Sequence, residues 1–230
     1  MDEHTCHHHD DATCVSLVPI FNHLDAHQMA EIHALTKSVV VRKGEHLYQA
    51  GDPSNALYIV SEGRIRIYRL AESGKEQLLR LLNPGDFTGE LALFTASVHE
   101  SYACAMTETH ICTITRDDLQ ALMIKYPAIA MKILAVFSQR LDESEKQTTR
   151  FATENVERRL ALFLVESMDP PGNSGEITLP MSRKDLASYL GTTPETLSRR
   201  LMEFEDKGLI QQRTSKRIRI LDADQLLLIA

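Results

Sequence analysis

The stretch from Met181 to Gly208 constrains the fold most, because it predicts two short amphipathic helices joined by a tight turn. Ser182 suits the N-cap of the first helix, with Asp185 three residues later in the position of a capping box. Gly191 suits the left-handed exit of that helix, and Thr193, followed by a proline, suits the start of the second. This is the pattern of a helix-turn-helix, although an ordinary helical hairpin with a solvated polar face has the same pattern.

The second helix of this stretch has one apolar and one polar face. Its apolar side chains repeat at helical spacing: Leu197, Leu201 and Phe204. The opposite side carries Glu195, Ser198, Arg199 and Met202. Arginine can bond O6 and N7 of guanine with both arms of its guanidinium, and glutamate can accept from N4 of cytosine. The polar face therefore indicates a recognition helix in a DNA major groove.

The residues that follow favour DNA binding over the plain hairpin. The sequence LIQQRTSKRIRIL predicts two short strands joined near Thr214 and Ser215, which is the pattern of a wing. Residues 182–221 contain nine Lys or Arg and five Asp or Glu, whereas the whole chain carries a net charge of −7. A basic segment in an acidic protein indicates a polyanionic partner. The residues predicted to contact double-stranded DNA are Ser182, Arg183, Thr193, Glu195, Thr196, Ser198, Arg199, Lys216 and Arg217.

The rest of the chain predicts a sensor domain and a connecting helix. A short helix is expected between Val15 and Ser38, followed by alternating stretches separated by glycines, which favour an antiparallel β-roll. Residues 116–168 have helical spacing, with a break at Pro127. We predict an α+β fold with a tail at 1–18, a β-roll at 19–117, a dimerisation helix at 118–152 and a winged helix-turn-helix at 153–230.

Apolar residues of the connecting helix predict where two copies could meet. Ile133, Phe137 and Leu141 follow one another at four-residue spacing, and a long helix with one apolar stripe is a natural dimer seam. The alternative is that this stripe packs on the β-roll of its own chain.

The first 14 residues are acidic and rich in side chains that bind metals. They include His4, Cys6, His7, His8, His9 and Cys14. Cysteine and histidine together suit zinc, and thiolates suit iron–sulfur clusters. The alternative is a tail whose histidines have no function. Further along, a hairpin of residues 102–106 and 110–115 would bring Cys104 close to Cys112, unless both are simply buried strand residues.

Several classes of protein are excluded by absent patterns. The apolar runs are too short for a membrane span, and the chain does not start with a secretory signal pattern. Four cysteines in such a chain indicate the cytoplasm, where thiols stay reduced. An enzyme built on the Cys and His residues is the rival class, but the sequence contains neither HExxH nor CxxC.

The order of a β-roll, a long helix and a winged helix-turn-helix resembles the Crp/Fnr family of bacterial transcription regulators. The stretches YQAGDPSNALYIVSEGRIRIYRL and LLNPGDFTGELALF are similar to the family's β-roll. Glu195, Ser198 and Arg199 match the E-x-x-S-R recognition pattern of the Fnr branch. The resemblance implies a homodimer that reads a TTGAT-like palindrome and works with RNA polymerase.

The resemblance also raises the question of a cyclic nucleotide. Members that bind cyclic AMP have an Arg-Ser pair after a Gly-Glu-Leu segment, and the arginine neutralises the phosphate. This chain keeps Gly89, Glu90 and Leu91 but has Glu100 and Ser101 in place of that pair. A carboxylate would repel the phosphate, so the sequence argues against cyclic AMP. Another small molecule in the β-roll remains an alternative, with Gly89 and Glu90 serving as turn and scaffold.

The cysteines resemble those of the Fnr branch in part. Cys112 falls where Fnr proteins have their β-roll cluster ligand, but the closely spaced N-terminal cysteines of Fnr are absent. A [4Fe–4S] cluster would have to recruit Cys104 or a histidine. The stretch CVSLVPIFNHL is similar to the Fnr-like proteins of lactic-acid bacteria, which implies a thiol–disulfide switch or zinc rather than an obligate cluster. Our hypothesis is that Cys14 and Cys112, assisted by Cys6, form a redox- or metal-sensitive clasp that joins the tail to the β-roll. The alternative is that Cys104 and Cys112 are buried structural residues, and the sequence favours this role for Cys104.

Overall fold

The computed structural model describes residues 12–94, 97–168 and 175–229, without the side chains of residues 12–14 and 92–93. The helices are Ala12–Leu17 (α1), Ala26–Leu35 (α2), Arg116–Lys125 (α3), Pro127–Thr153 (α4), Val156–Glu166 (α5), Arg183–Tyr189 (α6), Pro194–Asp206 (α7) and Ala223–Leu227 (α8). The strands are Lys37–Val41 (β1), His46–Tyr48 (β2), Pro53–Ser54 (β3), Ala56–Glu62 (β4), Ile65–Leu70 (β5), Glu76–Leu82 (β6), Phe87–Thr88 (β7), Ser97–Val98 (β8), Tyr102–Ala105 (β9), Thr109–Thr115 (β10), Glu176–Thr178 (β11), Ile210–Gln212 (β12) and Arg217–Ile220 (β13). A 3₁₀ turn spans Glu90–Leu93.

The chain forms two compact units. The first comprises the residues up to Leu70 together with Leu79–Gln139, and the second comprises Ala71–Leu78 together with the residues from Arg140 onward. The antiparallel β-roll, the long helix α4 and the helix-turn-helix confirm the predicted α+β fold class. The boundaries of the four predicted segments remain a prediction, because the structure divides the chain into two units and not into four.

The β-roll consists of two four-stranded antiparallel sheets, ordered β1-β10-β4-β7 and β2-β9-β5-β6, with a short β3-β8 pair. Side chains alternate between the two faces of a strand, and β10 shows this directly. Cys112 and Ile114 belong to one buried cluster, whereas Ile111 belongs to another. Burial of such side chains contributes about 1.5–3 kcal/mol each, so the two clusters hold this unit together.

The predicted hairpin that was to bring Cys104 and Cys112 together is wrong. Cys104 lies on β9, which pairs with β2 and β5, whereas Cys112 lies on β10, which pairs with β1 and β4. Consecutive strands thus enter different sheets, because each finds its partner far away along the chain. The local turn near Glu108 does not determine that pairing.

The segment predicted as one short helical element contains two helices. Helix α2 begins with a capping box in which Asp25 accepts from the backbone of Gln28, and the Gln28 side chain accepts from the backbone of Asp25. Ile32 of α2 is fully buried in the core. Val15 of α1 and Val18, directly after α1, are buried in that same cluster, so this apolar run is part of the core.

Helices α3 and α4 are separate, with the break at the predicted Pro127. Within the described ranges, no single helix is long and apolar enough to cross a membrane. Together, α3 and α4 reach that length and composition, but they are bent by 114°. Their fully buried residues Leu119, Ile129 and Ile133 lie in the core that contains Cys112.

The second unit contains α5 to α8 and a three-stranded sheet ordered β11-β13-β12. The two predicted wing strands are β12 and β13, joined by a turn that contains Thr214 and Ser215. Strand β11 and helix α8 were not predicted from the sequence. Strand β11 pairs with β13 through Ile177 and Ile218, which are both buried, so the wing is anchored by a third strand.

Candidate functional site

The helix-turn-helix has the caps and the turn that its sequence predicts. Ser182 accepts a hydrogen bond from the backbone N–H of Asp185 (3.1 Å) and begins α6. Thr193 accepts from the backbone N–H of Thr196 (3.3 Å) and begins α7. Gly191 between them has a φ of +69°, and a Cβ there would lie 2.7 Å from the Phe151 ring. The turn therefore requires glycine both for its backbone conformation and for space.

Helix α7 buries its apolar face and exposes its polar one. Leu197, Leu201 and Phe204 are fully buried. Glu195 and Arg199 are exposed, and Thr196 and Ser198 are half-buried. The pKa of Glu195 is lowered by a hydrogen bond from its own backbone N–H and by one from Thr193, so the carboxylate is ionised at neutral pH. The first two turns thus present an anion and a cation on one face.

A cluster of ion pairs fixes α7 on α5. Arg200 Nη1 lies 2.5 Å from a Glu203 oxygen and 3.3 Å from a Glu157 oxygen. Lys207 Nζ lies 3.2 Å from the other Glu157 oxygen. Because the Glu157 side chain is only 18% exposed, this network is partly shielded from water and orients the helix.

The wing presents cations around its turn. Lys216 and Arg217 are exposed, and Thr214 Oγ1 accepts from both of their backbone N–H groups (3.2 and 2.9 Å). Arg183, which the sequence predicts to contact DNA, is bound within the protein: it donates to the Ser215 carbonyl (3.1 Å) and to Gln212 Oε1 (2.8 Å).

In the β-roll, the residues around Glu90, which belongs to the segment that resembles the family's cyclic nucleotide site, bind one another. Glu90 is buried and paired with Arg80 (2.9 Å), so that arginine is already neutralised. Tyr48 stacks on His99 with ring centroids 3.6 Å apart, and its hydroxyl bonds to Thr88 (2.8 Å). Burial lowers the pKa of His99, which keeps the stacked imidazole neutral. This donor set does not fit a cyclic phosphate.

Glu100, which stands in place of the family's phosphate-binding arginine, is exposed and paired with Arg69. Gly89 has a φ of +84°, and a Cβ there would lie 2.3 Å from the Ala56 carbonyl. With Glu90 buried against Arg80, this supports the prediction that Gly89 and Glu90 are turn and scaffold residues.

The cysteines of the described residues have different environments. Cys112 is buried and disulfide-bonded. Cys104 is a buried free thiol whose Sγ lies 3.5 Å from the Gly44 carbonyl. Cys14 falls in α1, but its side chain lies outside the described residues, as do Cys6 and the predicted ligands His4, His7, His8 and His9.

A four-thiolate iron–sulfur site does not fit the cysteines whose side chains are described. Such a cluster requires thiolates that converge, whereas Cys104 and Cys112 lie in different sheets and Cys112 is already bonded. In the part of the chain that the structure describes, no group of three or more His, Cys, Asp or Glu is arranged to hold a metal ion.

The predicted dimer seam needs a correction. Ile133 is fully buried in the core of its own chain and Phe137 is partly buried against that core, so these two of the three predicted residues face inward, as the alternative interpretation held, while Leu141 is exposed. Three exposed apolar residues of α4 lie on a different face from Ile133: Met131 (67% exposed), Leu134 (54%) and Leu141 (61%). Their spacing of three and seven residues places them on one side of the helix.

Comparison with known proteins agrees with this architecture. The sequence-family model of the cyclic nucleotide-binding domain matches residues 22–126, and the family model of the Crp-like helix-turn-helix domain matches residues 158–229. The probable transcriptional regulator flp of Lacticaseibacillus casei is 36% identical over 214 residues, covering 93% of this chain and 96% of that protein. Electron transport regulator A of Shewanella oneidensis is 31% identical, covering 94% of this chain and 86% of that protein.

Among solved structures, FixK2 of Bradyrhizobium japonicum superimposes with a TM-score of 0.70 at 27% identity, covering 83% of this chain and 95% of that one. The matched domains and the relatives belong to transcription regulators, which confirms the prediction that the chain is not an enzyme. With its sensor-type β-roll and its DNA-binding helix-turn-helix, the chain belongs to the Crp/Fnr family of transcription regulators.

Proposed function

We propose that the chain is a homodimeric transcription regulator that reads a TTGAT-like palindrome and whose DNA affinity responds to thiol oxidation. The exposed polar face of α7 is the observation that supports sequence-specific DNA binding. Glu195 and Arg199 project from its first two turns, while its opposite face is fixed in the core of the domain. A rigid element is the support that base readout requires.

The chemistry of this face suits the single G·C pair of a TTGAT-like half-site. Arg199 can bond the guanine with two donors, and the ionised Glu195 can accept from cytosine N4. Ser198 can bond either base of a pair. Arg199 lies 3.9 Å from Glu203, and because that pair is long and exposed it holds the guanidinium weakly.

The proposed switch is a disulfide between Cys14 and Cys112. Cys112 is disulfide-bonded and Cys104 is free, which supports a partner from the N-terminal segment. Val15, next to Cys14, is buried in the same cluster as Cys112, which favours Cys14 over Cys6. In the oxidation step, two thiols lose two electrons and two protons to a peroxide or a disulfide oxidant, and one S–S bond forms.

The same core cluster links the switch to the dimer helix. It contains Val15 and Cys112 together with Ile129 and Ile133 of α4. A covalent bond between α1 and β10 fixes one packing of this cluster, so its reduction changes how α4 is held. We infer that two redox states then favour two spacings of the recognition helices, and only one spacing matches the palindrome.

Two further partners belong to this proposal. The exposed face of α4 around Met131 and Leu134 would meet a second copy of the chain. RNA polymerase is the partner that the family resemblance implies for a regulator bound upstream of a gene.

The test compares oxidised and reduced protein on a labelled TTGAT palindrome by fluorescence anisotropy. We expect the Kd of wild type to change on oxidation and to return with a dithiol reductant. Cys14→Ser and Cys112→Ser should abolish that change, whereas the control Cys104→Ser should keep it. Peptide mapping of the oxidised protein should recover the Cys14–Cys112 bond.

Two results would reject parts of this proposal separately. Equal redox responses of wild type and Cys112→Ser, or stoichiometric iron and sulfide in protein purified without oxygen, would reject the disulfide switch. Equal affinities for the palindrome and for a scrambled duplex would reject the reading of TTGAT.

A further inference from the structure

A continuous set of hydrogen bonds joins the wing to both helices of the helix-turn-helix. Arg183 at the start of α6 donates to Gln212 Oε1 (2.8 Å) at the end of β12 and to the Ser215 carbonyl (3.1 Å) in the wing turn. Gln212 donates from its backbone N–H and from Nε2 to the two carboxylate oxygens of Glu205 (2.7 and 2.8 Å) in the last turn of α7.

We propose that Arg183, Gln212 and Glu205 form a bridge that positions the wing against the recognition helix, so that the cations of the wing reach the DNA backbone. Arg183 is then a positioning residue that acts through the wing, which revises its predicted role as a direct DNA contact. This inference rests on the proposed function, because it concerns how the same face binds DNA.

The outer end of the wing is held through the backbone, where the Lys216 carbonyl accepts from the Leu179 N–H (2.8 Å) and Arg217 pairs with Thr178 of β11. The bridge adds side-chain contacts from α6 and α7 to this end.

Strands β11 and β12 have three residues each and β13 has four, so the sheet that carries the wing is short. The turn residues 213–217 are all exposed. At the inner end, by contrast, Ile218 and Ile220 are buried, so the bridge acts at the point where packing stops.

The chemistry of the bridge depends on Gln212 in the middle. Its amide accepts from a cation and donates to a carboxylate, so both of its bonds are charge-assisted and stronger than neutral ones. The bonds from Gln212, and to a smaller degree the charge of Arg183, lower the pKa of Glu205, which agrees with this arrangement. An amide has both a donor and an acceptor, which neither a carboxylate nor a methyl group can supply.

Gln212 also provides a clean test because it carries no charge. Binding to phosphates makes affinity depend on salt, with a slope in log Kd against log salt of about 0.9 for each phosphate neutralised. Removing a neutral side chain lowers this salt slope only if cations elsewhere in the protein lose their contacts with DNA phosphates. Partial unfolding would instead lower the fraction of active protein and leave the slope unchanged.

The experiment measures Kd on the TTGAT palindrome and on a scrambled duplex across a range of salt concentrations. For Gln212→Ala we expect the slope to fall by about 1 to 2, as one phosphate is lost from each wing of the dimer. At any one salt concentration, the ratio of the affinity for the palindrome to the affinity for the scrambled duplex should equal the wild-type ratio. Gln211→Ala is the matched control, since it removes the same group from the neighbouring position of β12.

Glu205→Ala should reproduce the change, and the double variant with Gln212→Ala should add little more, because both break one bridge. A wild-type slope for Gln212→Ala, or an equal fall for Gln211→Ala, would overturn the bridge. If the wild-type protein does not prefer the palindrome over the scrambled duplex, the proposed sequence-specific DNA binding is rejected. This result is distinguishable from the two results that would overturn the bridge.

Discussion

Arg199 is the side chain whose loss should change sequence preference most. Its side chain is 63% exposed on the polar face of α7 and lies beside Ser198 and one turn beyond Glu195. Because two donors can meet guanine O6 and N7 together, Arg199→Ala should cost about 1–3 kcal/mol at the guanine of each half-site. The measurement is competition binding with palindromes that carry each of the four bases at that position.

Lys216→Ala serves as the control for Arg199, because an exposed wing lysine suits a phosphate contact. It should weaken binding to all four duplexes equally and keep the preference for guanine. If Arg199→Ala also weakens all four duplexes equally, its guanidinium contacts a phosphate, and the base-reading role is wrong.

At the scale of the element, α7 is held by its buried seam. Leu201 is fully buried, whereas its neighbour Met202 is 55% exposed, so the two residues form a matched pair. Leu201→Ala should lower the free energy of unfolding of this domain by about 2–5 kcal/mol, since it removes buried methyl groups and leaves a cavity. Met202→Ala should change it by less than about 0.5 kcal/mol. Urea denaturation followed by circular dichroism measures both, and equal losses would contradict the assigned faces.

Elements with local signals could be predicted from the sequence, and those set by distant pairing could not. The caps at Ser182 and Thr193, the turn at Gly191 and the wing strands follow from residues within a few positions of one another. The sheet positions of Cys104 and Cys112 depend on strands that are distant along the chain, so the predicted hairpin between them was wrong. The Arg183–Gln212 bond joins residues 29 positions apart and has no local signal either.

The faces of α4 show the same limit. Both apolar stripes of this helix have helical spacing, so periodicity alone could not decide which one meets the β-roll. In the structure Ile129 and Ile133 are buried in the core of the first unit, while Met131 and Leu134 are exposed. The residues that remain exposed are therefore the candidates for contact with a second copy.

At the scale of the whole molecule, a palindrome requires two recognition helices, and the exposed stripe of α4 is where we expect the two copies to join. Leu134 is 54% exposed and lies on the same side as Met131 and Leu141. In a seam formed by two such stripes, Leu134→Lys places a charge in an apolar contact, which is unfavourable unless the charge is paired. We expect this variant to be monomeric by analytical ultracentrifugation at concentrations where wild type is dimeric.

The DNA affinities of the Leu134 variant then separate assembly from folding. Leu134→Lys should bind a full palindrome no more tightly than a single half-site. Its affinity for the single half-site should stay weak and equal to that of one wild-type domain. Gln139→Lys places the same side chain at another exposed position of α4, away from the stripe, and should remain a dimer that prefers the palindrome. A dimeric Leu134→Lys would assign the seam to another surface, whereas a monomeric Gln139→Lys would show that added charge on α4, and not the apolar stripe, controls assembly.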